Sequence, residues 1–412
     1  MTDHPPRQLQ ARCCIVGGGP AGMMLGFLLG RAGIETIVVE KHADFLRDFR
    51  GDTVHPSTME VMGELGLLER FLARPHQRMT KLTARFGPDT YTVADFTRLT
   101  GTPCPFLAFM PQWEFLDFLA DEGARYPALR LLRSTEATGL LRDGDRIAGV
   151  SARDAQGELA IAADLTVGCD GRRSTVRASA GLAVQDLGAP MDVLLFRVGR
   201  HRDTRMPEFL QVGGGHVLIC IDRGDYFQCA LVIEKGGLDA QRAGGIDAFR
   251  DRVTAIAPEL APTIGDVRDW DDVKLLTVTV DRLESWSRPG LLCIGDAAHA
   301  MSPIGGVGIN LALQDAVAAA NLLAPVLATR APTAAELEAV RARRLFPTRV
   351  VQAVQVAVQN RLISGFLDGR SDAPLPIRLA GALPRVQRTL ARAIGLGIRR
   401  EHVETPDATA TP

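Results

Sequence analysis

Residues 13–16, Cys-Cys-Ile-Val, form a short apolar run that stops at a glycine-rich turn, and residues 20–32 then carry an almost unbroken apolar pattern of helical length. A second short apolar run, 34–40, ends on Glu40. Short apolar runs bounded by turn residues read as buried strands and longer ones as buried helices, so the opening predicts a strand, turn, helix and strand of the βαβ kind. Residues 56–72 have an amphipathic period with Met59, Met62 and Leu65 on one side and a break at Gly66, and another helix is predicted over 112–125. Over 81–98 and 191–235 the pattern changes to short apolar strands separated by turn residues such as Gly87-Pro88 and Arg223-Gly224-Asp225, which predicts antiparallel sheet. Gly213-Gly214-Gly215 lies between two of these runs and reads as a hairpin turn. The runs ending at Cys169 and covering 291–294 return to the parallel pattern.

The first domain is therefore expected to be discontinuous, over 1–80, 99–182 and 282–330, with a β-sheet domain over 81–98 and 183–281 inserted into it. Residues 331–412 read as a helical region whose prolines, at 347, 374, 376 and 384, mark starts and breaks, and the polar end, 404–412, is expected to fray. Two apolar faces are expected there, Val351, Val354, Val358 and Leu362 on one helix and Val386, Leu390, Ile394 and Ile398 on another. Arginines 385, 388, 392 and 399 lie largely off the second face.

A length of 412 residues agrees with more than one core. The net charge of −1 gives no field for a polyanion, so nucleic acid is excluded as a partner. Seven cysteines without a CxxC pair predict reduced core thiols in a cytoplasmic protein and no metal site. The longest apolar stretch, 310–328, is interrupted by Gln314, Asp315 and Pro325 and reads as a buried helix, and the N-terminal segment is too short for a signal peptide.

Candidate chemistry begins at Gly17-Gly18-Gly19-Pro20-Ala21-Gly22, a GxGxxG directly after a strand and opening a helix, with Glu40 closing the next strand. In such a turn Gly17 permits the tight bend, Gly19 lets a pyrophosphate approach the backbone, and Gly22 lets helix and strand pack closely. The helix N-terminus offers N–H donors and positive potential to phosphate, with Ala21 in its first turn. Glu40, followed by Lys41, would accept from ribose hydroxyls, which suits FAD or NAD and disfavours NADP in this pocket.

Two later segments narrow the choice: Cys169-Asp170-Gly171-Arg172-Arg173-Ser174-Thr175-Val176-Arg177, and Gly295-Asp296-Ala297-Ala298-His299 followed by Pro303-Ile304-Gly305-Gly306-Val307-Gly308-Ile309-Asn310. With these three motifs in order, the chain over roughly 12–344 resembles the para-hydroxybenzoate hydroxylase family of group A flavoprotein monooxygenases. The resemblance implies an α/β fold, with a Rossmann-like (GR2-type) FAD-binding domain, an inserted, mostly antiparallel β-sheet substrate domain and C-terminal helices. It also implies that FAD is held by the glycine turn, Glu40 and Lys41, by Arg50 and Gln112, by Asp170 and Arg177, and by Gly295, Asp296, Gly306, Gly308, Ile309 and Asn310. Pro303 would lie at the flavin edge where oxygen reacts. Asp170 as a cap, Arg177 as a surface ion pair, Arg50 as a solvated side chain and Gln112 as a helix-capping residue are the bland alternatives. In this family His299 shapes the flavin loop and is not expected to be an acid or base.

No Ser/His/Asp set, metal-ligand spacing or paired nucleophile and base emerges, which fits chemistry carried by a cofactor. By resemblance, NADH or NADPH reduces the flavin, O2 forms a C4a-hydroperoxyflavin, and the distal oxygen hydroxylates an aromatic molecule such as a phenol, quinolone or polyketide. With a single GxGxxG the nicotinamide nucleotide would bind transiently. The substrate is expected between the inserted sheet and the flavin, where Gln211, His216 and Gln228 are the polar candidates. The rivals are a geranylgeranyl-reductase-type enzyme, a flavin-dependent halogenase, whose WxWxIP motif is absent, and a non-catalytic flavoprotein. A basic amphipathic C-terminal helix could make peripheral contact with the inner membrane surface, which would suit a lipophilic substrate like the ubiquinone-precursor phenols, but packing on the FAD domain or in a homodimer is the preferred reading.

Overall fold

A computed structural model describes residues 6–46, 53–201, 209–363, 365 and 372–409. The apolar run at the start becomes the central strand Arg7–Val16, which pairs in parallel with Thr36–Val39 on one side and Gly157–Gly168 on the other. Leu129–Leu132 and Leu291–Cys293 extend the parallel sheet outward. The hairpin Glu136–Asp143 and Arg146–Asp154 adds antiparallel strands to the Gly157–Gly168 strand. The helix Pro20–Arg31 is apolar on nearly every side because it lies between this sheet and the helices Gln112–Gly123 and Gly308–Leu327. Its glycines form a flat stripe: a Cβ would come 2.0 Å from Gly17 O at Gly22, 2.7 Å from Val38 Cγ2 at Gly26 and 2.7 Å from Leu129 Cβ at Gly30. Bare backbone at every fourth position lets the helix approach the sheet closely.

The second sheet has the order Lys274–Leu276, Met191–Gly199, Tyr226–Glu234, His216–Asp222, Leu210–Gly213, Lys81–Phe86 and Asp89–Asp95. All its pairings are antiparallel except Leu210–Gly213 with Lys81–Phe86. One face carries Leu218, Phe227, Cys229 and Leu231 against Phe249, Val253 and Ile256 of the helix Gly245–Ile256. The other face carries Ala84, Phe86, Val212, Val217 and Val232 and meets Ile304. That second face looks toward the glycine loop of the first domain.

The C-terminal region departs from expectation in three respects. The helix Ala334–Val358 runs through Pro347, which is buried in its interior and does not break it. The helix opens on a capping box between Thr333 and Glu336. Its inward face is also not the apolar stripe, since Val354 is 57% exposed and Val351 and Val358 are half-buried, while Arg344, Thr348, Gln352 and Gln355 are buried. The side chain of Leu362 lies outside the described residues. The reason is that this helix backs onto loops whose N–H and C=O groups need partners, and glutamines supply them where valines cannot. The apolar face of Pro384–Gly395 does pack on the body, with Leu390 and Ile394 against Ala94, Phe96 and Leu99.

The tail is also not frayed through residue 409. Arg31 donates to Thr405 O at 2.8 Å and pairs with Asp407 at 3.4 Å, Ala408 N donates to Arg31 O at 2.8 Å, and Glu404 N donates to Asn321 Oδ1 at 3.0 Å. Glu401 is buried and accepts from Arg343 at 2.9 Å and from Arg344 at 3.2 Å. These bonds explain why a polar segment holds a single path. Replacing Glu401 by Ala removes a buried partner of Arg344, so it is expected to lower unfolding free energy by about 3 kcal/mol in urea denaturation. Glu404→Ala, at an exposed side chain, is expected to change it by less than about 0.5 kcal/mol.

Candidate active site

The glycine turn after the first strand is built by close contacts that only glycine allows. Gly17 has φ +104°, and a Cβ there would lie 2.5 Å from Cys169 O, while a Cβ at Gly22 would lie 2.0 Å from Gly17 O. Gly19 differs. Its φ is an ordinary −74°, it caps the helix Pro20–Arg31, and a Cβ on it would meet nothing within 4 Å. Gly17 and Gly22 are thus required by the protein's own packing, whereas Gly19 borders open space at a helix N-terminus with no acidic residue in its first turn. A helix N-terminus with positive potential and room beside it could hold a phosphate.

Glu40, 8% exposed, sits beside the turn, accepting from Gly18 N at 2.9 Å and from His42 N at 3.0 Å. Lys41 is exposed next to it, and Gln112 is half-buried at the start of its helix. Asp170 follows the Cys169 carbonyl against which Gly17 packs, and accepts from Val176 N at 3.1 Å. Burial raises the pKa of Asp170, opposed by hydrogen bonds from Ser174 and Val176, and its Oδ1 has no protein partner. Arg177 turns inward: it donates to Arg172 O and approaches the buried Asp281 at 3.6 Å. Arg50 lies outside the described residues.

Gly295, with φ +59°, is wedged between Ala21 and Ala312, which brings the Gly295-Asp296 turn to the start of the first helix. The turn is held from behind by Asp315, whose carboxylate accepts from Gly295 N at 3.1 Å, from His299 Nε2 at 2.5 Å and from Arg344 Nε at 2.9 Å. Burial alone would raise the pKa of Asp315, but His299 and Arg344 hold it below the usual carboxylate value. His299 also lies against Trp286, with ring centroids 5.0 Å apart. It is a support for the turn.

Pro303, exposed, opens the glycine loop, and Gly305 and Gly306 bend it at φ +79° and +61°. Gly308 starts the buried helix Gly308–Leu327, with Ile309 and Asn310 in its first turn. Asn310 ties this loop to the segment near residue 53: its amide donates to Thr53 O at 3.0 Å and Gly306 O at 3.2 Å, and its oxygen accepts from His55 N and Thr58 Oγ1, both at 2.8 Å. From the far side, Gln355 accepts from Ser302 N at 3.1 Å and donates to Ser302 O at 2.9 Å and Ile304 O at 2.8 Å. Gln352 donates to Asp281 O at 2.7 Å and Ala300 O at 3.1 Å. The glutamines, His55 and Asp315 had no local motif to mark them.

Two of the three substrate candidates lie on the sheet face away from Ile304 and the glycine loop. Strand residues alternate, and Gln211, 1% exposed, points toward the helix layer, donating to Cys220 Sγ at 3.6 Å and accepting from Arg85, itself paired with Glu259. His216, whose ring bonds Gly214 O at 2.7 Å, shares that side, and burial lowers its pKa. Gln228 is on the face of Val232 and Ile304, where it accepts from Arg223 at 2.9 Å.

Three motif segments, far apart in sequence, thus meet at the start of the first helix, with Gly17 packed on Cys169 and Gly295 on Ala21 and Ala312. A family model described as an FAD binding domain matches residues 10–354. The chain belongs to this FAD-binding family. It is 33% identical over 404 residues to the 6-methylpretetramide 4-monooxygenase of Streptomyces rimosus, covering 96% of each protein. It is 30% identical over 317 residues to the rifampicin monooxygenase of Streptomyces venezuelae, matching 73% of this chain and 61% of that longer protein. The fold is shared with p-nitrophenol 4-monooxygenase PnpA from Pseudomonas putida, at TM-score 0.77 and 18% identity, covering 96% of this chain and 100% of that one. The protein is an FAD-dependent monooxygenase of the aromatic-hydroxylase type.

The residues fit FAD: Gly19 borders open space at a helix N-terminus, Oδ1 of Asp170 is a buried acceptor without a protein partner, and Gly305 is exposed in the glycine loop. When bound, FAD supplies the redox chemistry and the reaction with oxygen, which side chains of this kind cannot. The protein's own part is to hold the loops. His55 is central to that, since its Nδ1 bonds Ile394 O at 2.8 Å and its backbone is held by Asn310. Burial lowers its pKa from 6.5 to about 4, against the raising effect of bonds to Ile394 and Gly305. A depressed histidine is neutral in the fold, so the unfolded chain binds the extra proton between pH 6.5 and 4 and stability falls as pH falls through that window. His55→Gln is expected to remove a component on the order of 3 kcal/mol from that decline, read as a shallower dependence of the urea midpoint on pH. An unchanged dependence would count against a buried neutral His55.

Proposed function

We propose that this monooxygenase uses NADH or NADPH and O2 to hydroxylate a polycyclic, polyketide-like aromatic molecule. The observation that carries the substrate class is the sheet face opposite the glycine loop. Its buried residues around Ile304 are Ala84, Phe86, Met191, Val212, Val217 and Val232, all uncharged and apolar. A broad apolar floor suits a large, flat ring system, whose burial it rewards. The near-full-length relative named for action on 6-methylpretetramide supports the same class. Gln228, with its Arg223 partner, is the polar pair on that face and would orient a ring oxygen.

Pro303 and Gly305 are exposed at the head of the loop, and Gly306 packs on Thr53. Held from behind by Gln355 and Asn310, this loop would keep a bound ring system at fixed distance from the cofactor. The test is anaerobic mixing of FAD-loaded protein with NADH or NADPH, with and without simple phenols, quinolones and polycyclic phenols, followed by an oxygen pulse. A polycyclic phenol is expected to accelerate flavin reduction by about an order of magnitude or more and to yield a product heavier by one oxygen atom. Acceleration by a small benzoate alone would overturn the substrate class, and reduction without any oxygenated product would overturn hydroxylation.

A further inference from the structure

Residues 373–400 contain six arginines, 378, 385, 388, 392, 399 and 400, and no aspartate or glutamate, in a chain whose net charge is −1. Two of the six are engaged: Arg399 lies over the Phe346 ring at 4.5 Å, and Arg400 pairs with Glu60 at 2.8 Å. Arg378, Arg385, Arg388 and Arg392 have no carboxylate partner among the described residues and are exposed. Three of them, 385, 388 and 392, recur on the outer face of the helix Pro384–Gly395, whose inner face is packed on the body.

The adjoining helix Leu375–Ala382 adds an apolar row. Leu375 is 66% exposed, Leu379 45% and Leu383, just past its end, 47%, spaced by four so that they share one side. The opposite side of the same helix is packed, with Ala380 buried and Ile377 against the cluster that includes Ile304. The leucines are therefore outward by placement, on the outside of an element that covers the substrate floor.

The geometry points to this surface, Leu375, Leu379 and Leu383 with Arg378, Arg385, Arg388 and Arg392, as a docking face for an anionic phospholipid surface. Leucines would enter the headgroup boundary while the guanidinium groups meet lipid phosphates, their stems lying along the apolar layer. A second copy of the chain is the weaker occupant, because a two-fold contact would set the same unpaired arginines against each other. This assignment is independent of which molecule is hydroxylated.

The experiment is co-sedimentation of full-length, FAD-loaded protein with neutral phosphatidylcholine vesicles and with vesicles containing anionic phosphatidylglycerol. Flavin absorbance is read in pellet and supernatant, and light scattering reports the oligomeric state. Binding is expected on anionic vesicles only, weakening with salt, and is expected to fall about tenfold or more in both L375S/L379S/L383S and R385Q/R388Q/R392Q, which keep their flavin. Holoprotein that stays in the supernatant with anionic vesicles overturns the proposal. So does a dimer that the leucine variant dissolves while vesicle binding is absent, which would hand the face to a second copy. Wild-type binding by both variants would likewise overturn it.

Discussion

A carboxylate without access to water fixes the geometry of the cofactor groove. Asp315 lies in the middle of the buried helix Gly308–Leu327 and joins the N–H of Gly295, the ring of His299 and the guanidinium of Arg344. A buried charge is tolerated only with good partners, and removing any one leaves the others costly to keep inside. The Gly295-Asp296 turn, the His299 ring and the helix Ala334–Val358 are thus bound to one position. Through Arg344 the constraint extends to Glu401, so the C-terminal tail is joined to the cofactor turn by two side chains.

The loops around this turn are held from behind by side chains. Glutamines 352 and 355 and Asn310 satisfy loop backbone groups from the protein side, while Gly305 is exposed and Gly306 is closed against Thr53, where a Cβ would lie 2.8 Å from Oγ1. The same division holds at the first turn, where Gly17 and Gly22 are closed against protein and Gly19 is not. Chemistry that belongs to a cofactor needs this arrangement: rigid placement of loops, with the reacting side left bare. The inserted sheet completes it with an apolar face at Ile304.

Much of this was legible from the chain. The glycine turn, the Asp170 and Gly295 segments and the alternation of the inserted sheet are local signals, and local signals survive without tertiary knowledge. Three kinds of feature were not. Alternation shows that Gln211 and Val212 face opposite ways but not which side meets the glycine loop, so it does not separate Gln211 and His216, which face the helix layer, from Gln228, which does not. The valines of Ala334–Val358 suggested an inward apolar stripe, whereas the loops behind the groove demanded glutamine. The polar tail carried no sign of the long-range bonds to Arg31, Asn321 and Glu64 that hold it.

If FAD phosphate occupies the open space at Gly19, a side chain there must cost cofactor binding without costing the fold, whereas the space at Gly22 is already filled by the protein. Titration of FAD into apoprotein carrying Gly19→Ala, beside the unaltered apoprotein, tests it directly. With φ of −74° and no neighbour within 4 Å of the added methyl, the variant should match the unaltered apoprotein in urea midpoint. Its affinity for FAD should nonetheless fall by about tenfold or more, the loss expected when a phosphate is pushed off its N–H donors. An alanine variant that binds FAD as tightly as the unaltered chain would show that the phosphate does not sit at Gly19.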